Sequence, residues 1–521
     1  MTVKAKRGKK GLINLVFSRI FIFGMMILSQ VFLMAYMFSN VTAYSNFINT
    51  LIRILAFLLV ISIVSEQKTD PTTRLLWSVL ILVFPLFGTL MYLYVKTQFG
   101  SRLIKKRIEN VNEITTGYLK PDETVYKKIR LDNEKIYPLT NYLYNYSGYI
   151  ISDNNDVMYL ENGEKKFEHL MADIKSAQKF IFLEYFIIES GQVWDSILDE
   201  LIVKQKEGVE IRVMYDGMCS LIQLPVGYYK RLSKMGIKSK PFSPMRPFFS
   251  THQNNRDHRK IAVIDGKIAY NGGINLADEY MNITKRFGYW KDSAVRIEGP
   301  CVKNFTLMFL RMWNMSEETI ENFNPYLKVK INCLNKNENQ GYVSAFSDEP
   351  FDDETVAEQV YLQILNSAKK YVHIITPYLV IDNIMMYELK FAAKRGVDVK
   401  LVLPGIPDKK YAYCVARTYY EELLEAGVKI YEFTPGFTHA KMMISDDDVA
   451  TVGTVNLDYR SFYLHFECGT LIFNNPAIKD MQTDFRKVIG QSKLVTMMEC
   501  RNRSLAYKIS GKLLRLIAPL L

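Results

Sequence analysis

The sequence predicts an α/β protein built from two duplicated α/β/α sandwich units that share one site, preceded by an α-helical membrane anchor. Three observations predict it. A sparse pattern occurs twice, His258-x-Lys260-x4-Asp265 and His439-x-Lys441-x4-Asp446, each followed at equal spacing by a glycine and an asparagine, Gly272 and Asn275 in one copy and Gly453 and Asn456 in the other. The order of helix-like and strand-like segments around each copy is repeated as well. Residues 1–110 are a different material, dominated by long apolar runs.

The apolar region comes first. Ile20–Phe38 is broken only by Ser29, Gln30 and other small residues, and Leu75–Val95 is apolar with a tolerated Pro85. Both are long enough to span a bilayer. Ala43–Val64 reads as a third span with Arg53 snorkelling, or as an interfacial helix, so the anchor has two or three transmembrane helices. A cleavable signal peptide does not fit the length of the first run. Lys4, Lys6, Arg7, Lys9 and Lys10 precede the runs, and Lys96, Arg102, Lys105, Lys106 and Arg107 follow them. Both ends therefore prefer the cytoplasmic side, which three spans cannot provide: either the middle segment does not cross or one basic cluster is external.

Residues 111–310 and 311–500 read as the two units, with 501–521 as a basic and then apolar tail. Ser176-Ala177-Gln178-Lys179-Phe180-Ile181 matches Ser367-Ala368-Lys369-Lys370-Tyr371-Val372, and Lys206-Glu207-Gly208-Val209 matches Lys394-Arg395-Gly396-Val397. Tyr228-Tyr229 and Gly236-Ile237-Lys238 match Tyr419-Tyr420 and Gly427-Val428-Lys429. Helical pattern, glycine stop and β-branched strand thus recur in order. An insertion in the first unit, Ser239 to Arg256, carries Pro241, Pro244, Pro247, Phe248 and Phe249 and reads as a lid, a membrane-contacting loop or a plain surface loop. The tail is either an amphipathic membrane-surface helix or a segment packed on the domain.

The doubled motif carries the chemistry. With six histidines in 521 residues, a single three-residue match arises by chance at roughly a few per cent; two that share a downstream glycine and asparagine are harder to dismiss. Residues two apart on a strand share a face, so each copy presents an imidazole beside an ammonium. Histidine attacks phosphorus or shuttles a proton near neutral pH, and lysine with the asparagine amide stabilises non-bridging oxygens. His258, Lys260, Asp265, His439, Lys441 and Asp446 form the candidate catalytic set, with Asn275 and Asn456 on phosphate. Asp265-Gly266, set between apolar strands, also reads as a hairpin turn, which gives the aspartates an organising role.

The paired motif resembles the phospholipase D superfamily, known for its doubled His-Lys-Asp signature. The resemblance implies that two halves form one active site, that one histidine takes up the phosphatidyl group covalently and the other protonates the leaving alcohol, and that no metal or cofactor is needed. The sequence leaves open which histidine is the nucleophile; family analogy prefers His258. Glu467, eleven residues after Asn456, matches an acidic residue that orients a histidine in such enzymes; Asp292, seventeen after Asn275, is its analogue. Gly273 departs from the serine many members carry. Asp70-Pro71-Thr72-Thr73-Arg74-Leu75-Leu76-Trp77 and Gly453-Thr454-Val455-Asn456-Leu457-Asp458-Tyr459-Arg460-Ser461-Phe462 are similar to bacterial cardiolipin synthases over residues 41–521, with Met1 to Asn40 as an extra leading segment.

That likeness implies condensation of two phosphatidylglycerol molecules to cardiolipin and glycerol in the cell membrane, by a multi-pass protein whose partners are phosphatidylglycerol and anionic membrane lipid. A net charge of +12 suits such a surface, and no nucleic-acid partner is expected. The alternatives are a phosphodiester hydrolase of the same superfamily, acting on lipid or nucleic acid, and an inactive lipid-binding protein. His373, in an apolar strand, reads as a core histidine, and His169, His252 and His465 as structural or surface residues. Six cysteines without paired spacing argue against a zinc site and a disulfide framework.

Overall fold

The structure, a computed structural model, describes residues 25, 28–32, 43–67, 71–96, 99–132, 136–219, 223–243, 255–330, 340–352 and 354–516. Most of the expected Ile20–Phe38 span, most of the Ser239–Arg256 insertion and the end of the tail lie outside these residues. The chain divides into a compact N-terminal body ending at Lys106 and a larger one beginning at Arg107.

In the N-terminal body, α1 (Ala43–Ser65), α2 (Pro71–Val83) and α3 (Pro85–Lys96) follow one another. Helix α1 is, among the described residues, the one helix long and apolar enough to cross a membrane. The expected single span Leu75–Val95 is corrected: it is two short helices folded back on each other at Phe84-Pro85. Proline lacks the N–H and clashes with the preceding turn of a continuous helix, yet suits the first position of a new one. Gly88 lets the new helix return, because a Cβ there would sit 2.7 Å from the Ile81 Cα. Trp77 and Tyr92, which would lie about 22 Å apart along a straight helix, pack edge to face with ring centroids 5.4 Å apart. With Ala56, Val60, Ile63 and Ile81 they form a small apolar core.

The larger body holds two sheets of the same design. In the first, β1 (Asp156–Leu160), β2 (Phe180–Tyr185), β3 (Glu210–Asp216), β4 (Lys238–Phe242), β5 (Lys260–Ile264), β6 (Ile268–Gly272) and β7 (Ala294–Glu298) lie in the order β1-β7-β6-β5-β2-β3-β4. In the second, β8 (Tyr342–Asp348), β9 (Tyr371–Ile375), β10 (Asp398–Pro404), β11 (Lys429–Phe433), β12 (Met442–Ser445), β13 (Val449–Gly453) and β14 (Glu467–Phe473) lie in the order β8-β14-β13-β12-β9-β10-β11. Strand for strand the two orders are the same. In each set of seven the last three strands run parallel and the remaining pairings are antiparallel; the second sheet carries two further edge strands, Ile151–Ser152 on β8 and Ser492–Leu494 on β11, both antiparallel. The parallel strands need crossovers, which helices Gln192–Lys206 and Tyr228–Lys234, and Asn383–Lys394 and Lys410–Glu425, supply. Buried strands such as Phe180–Tyr185 are covered on both faces, which explains a near-continuous apolar run there.

Two departures from the unit boundaries follow from packing. Val125, Ile129, Leu139, Leu143 and Ile151 precede the first sheet in sequence yet are buried in the core of the second unit, and Ile151–Ser152 pairs antiparallel with β8. The tail helix Leu505–Leu516 packs on Lys410–Glu425, with the Arg515 guanidinium 4.1 Å from the Tyr419 ring centre, and leaves Leu505, Ile509 and Leu513 exposed.

Candidate active site

His258 and His439 stand just before β5 and β12, at the same end of equivalent strands. The two units are stitched together there. The His258 N–H donates to the Phe466 carbonyl at 3.0 Å and the Phe466 N–H to the Arg256 carbonyl at 2.8 Å. In the other copy the His439 N–H donates to the Lys291 carbonyl at 2.6 Å, and Gly436–Thr438 runs parallel to Tyr289–Lys291. Each histidine is thereby placed one residue from an acidic side chain of the opposite unit.

The result is an exchange. The His258 Nδ1–H donates to the Glu467 carboxylate at 2.9 and 3.0 Å, and the His439 Nδ1–H donates to Asp292 Oδ2 at 2.7 Å. Both carboxylates are fully buried and the histidines are 7% exposed. Burial alone would raise both acids, but the charge and hydrogen bonds of His258 and His465 hold Glu467 well below the ordinary carboxylate range, and those of His439 hold Asp292 below it. Burial pushes His258 well below the usual imidazole value, with Lys260 acting the same way, and takes His439 down to about 4, helped by Lys441. The imidazoles are therefore neutral, Nδ1–H bound to carboxylate, with the Nε2 lone pair available.

Lys260 and Lys441 each donate to the carbonyl oxygen of the histidine two residues earlier. Burial lowers Lys260 to about 8, against the pull of Glu467, and Lys441 to about 7, against the pull of Asp292. Lys260 also depresses His439 and Lys441, so the charges of the two copies act on one another. Aromatic rings wall the site: Phe186 against His258 and Tyr280, Trp290 and Phe437 against His439, at 4.9–5.8 Å between ring centres. A groove lined by Tyr378, Lys409, Tyr411, Asp458, Tyr459 and Arg460 adjoins the Asn456 segment.

The two asparagines differ. Asn275 is engaged, its oxygen accepting from the Ile187 N–H at 3.0 Å and its amide donating to the Tyr280 hydroxyl at 2.7 Å. The Asn456 side-chain oxygen is buried without a partner. The orienting carboxylates differ too. Glu467 also accepts from the Thr454 and Ser461 hydroxyls, whereas the position equivalent to Thr454 is Gly273, where a Cβ would meet Asp292 at 2.2 Å.

Asp265 and Asp446 are not brought to the histidines. They sit at the far ends of β5 and β12, in turns with left-handed backbone (φ 54° and 53°). The Asp265 carboxylate accepts from the N–H groups of Gln178, Lys179 and Phe180, and Asp446 accepts from those of Lys369, Lys370 and Tyr371. The signature aspartates tie each β-hairpin to the start of the adjacent strand, in agreement with the turn reading.

Two residues enter that the sequence reading left aside. His465, read as structural or surface, has its ring 5.4 Å from that of His258 and its Nδ1 3.8 Å from Glu467. Its position two before Glu467 was the available signal. Among the described residues His258, His465 and Glu467 are also the one group of donors close enough to share a metal ion. Glu467 already accepts from three side chains, which suits an orienting acid better than a ligand. Lys166, buried and lowered to about 7 by burial, donates to the Ile274 carbonyl at 2.8 Å. His373, stacked between Tyr371 and Phe485 and bonded to Gln482 at 3.1 Å, is a core histidine.

Comparison with known proteins adds the following. A family model described as "Cardiolipin synthase, PLD-like domain" matches residues 170–313 and 361–489, and one described as "Phospholipase D-nuclease N-terminal" matches 54–96. An uncharacterized protein of Streptococcus mutans is 48% identical over 456 residues, 88% of this chain and 98% of that one. The cardiolipin synthase of Geobacillus kaustophilus is 32% identical over 465 residues, 88% of this chain and 91% of that one. The crystal structure of phosphatidylserine synthase from Haemophilus influenzae superposes with a TM-score of 0.54 at 15% identity, covering 70% of this chain and 93% of that one, which is a likeness of fold.

Two predictions follow from this geometry. Asp265→Ala and Asp446→Ala each leave three amides without their acceptor and are expected to lower unfolding stability by about 1–3 kcal/mol, while the turnover of folded protein stays within about threefold of the parent. Loss of turnover without loss of stability would return the aspartates to the chemistry. Because each ammonium loses its proton as pH rises through about 7 for Lys441 and about 8 for Lys260, kcat/KM is expected to begin falling near pH 7 and to fall more steeply above pH 8. A profile flat to pH 9.5 would contradict the role given to the two charges.

Proposed function

The chain belongs to the cardiolipin synthase family of phospholipase D-like proteins, and from that premise we propose that it is a phosphatidyltransferase that joins two phosphatidylglycerol molecules into cardiolipin and releases glycerol. The observation that carries the reading is the crossed pairing of His258 with Glu467 and His439 with Asp292, which leaves two Nε2 atoms beside two buried lysines in one site. Neither copy of the motif orients its own histidine, so both are needed for one reaction.

His258 is the nucleophile. Neutral, with Nδ1–H held by Glu467, it attacks the phosphorus of a first phosphatidylglycerol through Nε2. The P–O bond to glycerol breaks as His439 gives its Nε2 proton to the departing oxygen. His439 titrates near 4 in the empty site, and the negative charge of an entering phosphodiester raises that value. Lys260, Lys441 and Asn456 stabilise the charge that builds on the non-bridging oxygens, and the remaining amide hydrogen of Asn275 is available to add to them. In the second half a free glycerol hydroxyl of another phosphatidylglycerol loses its proton to His439 and attacks phosphorus. The P–N bond breaks and His258 returns neutral.

The firmer grip on Glu467, from Thr454 and Ser461, supports His258 in this role, because a nucleophile gains most from a fixed line of attack. Water competes with the second lipid for the intermediate. Deep burial of both histidines and their aromatic walls support transfer over hydrolysis. The setting is a membrane, entered through α1.

Purified protein in detergent with phosphatidylglycerol and a chelator is expected to yield cardiolipin and glycerol; phosphatidic acid as the main product would mean hydrolysis and sink the reading. His258→Ala and His439→Ala are each expected to lower turnover by at least about 10²–10⁴-fold. A phosphatidyl ester of nitrophenol, whose leaving group needs no proton, should restore first-step turnover to His439→Ala and not to His258→Ala. Restoration of His258→Ala instead would exchange the two roles.

A further inference from the structure

We propose that α2 and α3 form a re-entrant hairpin that enters the bilayer to about its middle and returns, so that the chain leaves α3 on the same membrane face on which α1 ends. The inference rests on the membrane setting of α1 and is independent of the reaction.

Lengths give the first argument. Helix α1, with 23 residues, extends about 35 Å and matches a hydrocarbon core of about 30 Å. Helix α2, with 13 residues, and α3, with 12, extend about 20 and 18 Å, too short to cross. They nevertheless present apolar side chains outward: Leu75, Val79, Leu82 and Val83 are more than half exposed, and Leu51, Leu55, Leu58 and Val64 on α1 are 46–56% exposed. A surface of that kind is covered by acyl chains and is costly in water.

Polar groups mark the two ends of the hairpin. At its open end the Arg74 guanidinium donates to the Val64 and Glu66 carbonyls at 2.9 and 2.8 Å, covering the exposed C-terminus of α1, and Lys96 pairs with Glu66 at 2.9 Å. The end of α1, the start of α2 and the end of α3 thus share one polar level, as expected of an interface. At the closed end stand Phe84, Pro85 and Phe87, with no charge. The Phe87 N–H there is one of the first-turn amides that a helix cannot satisfy itself, and it donates to Gln30 Oε1 at 3.2 Å. Gln30 is 7% exposed and lies at the centre of the apolar run Ile20–Phe38. A glutamine in mid-run is expensive in lipid unless bonded; its use on the hairpin tip sets the tip at the depth of the middle of that run.

Charge agrees. Straight spans put the basic cluster Lys4–Lys10 and the cluster Lys96–Arg107 on opposite faces. If Ile20–Phe38 and α1 cross and the hairpin returns, both clusters fall on one face, as the positive-inside tendency requires.

The test uses the full chain in sealed proteoliposomes and in spheroplasts, with single substitutions Thr72→Cys, Val95→Cys and Phe84→Cys in active protein, and a membrane-impermeant maleimide. Thr72→Cys and Val95→Cys are expected to react from the same face, and Phe84→Cys at least tenfold more slowly from either. Reaction of the first two from opposite faces overturns the hairpin, and full reactivity of Phe84→Cys overturns its insertion. Spin labels on the Thr72→Cys/Val95→Cys pair give an independent reading: a separation below about 20 Å supports the hairpin, and one near 35 Å, the length of a straight helix, overturns it.

Discussion

A buried imidazole that must act at one nitrogen needs a fixed acceptor at the other, and in this fold that acceptor always belongs to the other unit. Much of the larger body serves the two hydrogen bonds His258–Glu467 and His439–Asp292. The two sheets must meet at equivalent ends, the segments before β5 and β12 must pair with the opposite unit, and the carboxylates must be shielded from water yet hydrogen-bonded. An isolated buried carboxylate is strongly disfavoured, so each histidine is also what makes its acid tolerable in the interior. Function and assembly of the two halves are therefore one constraint. A separated unit would expose an acid evolved for a partner's histidine and a histidine without an orienting group.

Around this shared axis the two copies have diverged. Arg259, between His258 and Lys260, is a buried cation that bonds Ser347 and lies over the Phe466 ring, clamping the first motif onto the second unit; its counterpart is Ala440. On the other side Lys291, preceding Asp292, pairs with Asp484 at 2.7 Å and bonds the Glu161 carbonyl. Thr454 and Ser461 steady Glu467, whereas Asp292, with Gly273 in place of Thr454, accepts instead from the Ser293 N–H. Glu467 is thus held by more side chains than Asp292.

The spacing of the doubled motif made the duplication legible, because strand alternation and glycine stops are local rules that the sequence writes out twice. The turn role of Asp265 and Asp446 was legible for the same reason. The exchange of Glu467 and Asp292 was not, since a linear chain does not say which of two equivalent histidines an acid will face. The role of His465 followed only once Glu467 was placed. Hydropathy read Leu75–Val95 as a span because a window sums apolar residues and is blind to direction; Pro85 and Gly88, tolerated in the sum, reverse the chain. The helix around Leu139 and Leu143 joined the second unit for a similar reason: apolar faces seek area, not sequence neighbours.

The most direct test is a set of four double-mutant cycles on unfolding stability in full-length protein, each of His258→Gln and His439→Gln being combined with each of Glu467→Gln and Asp292→Asn. The crossed pairs, His258 with Glu467 and His439 with Asp292, are expected to couple by about 0.5–3 kcal/mol, as groups in contact do, and the same-unit pairs, His258 with Asp292 and His439 with Glu467, by less than about 0.5 kcal/mol. Coupling confined to the same-unit pairs would contradict a single site built by exchange.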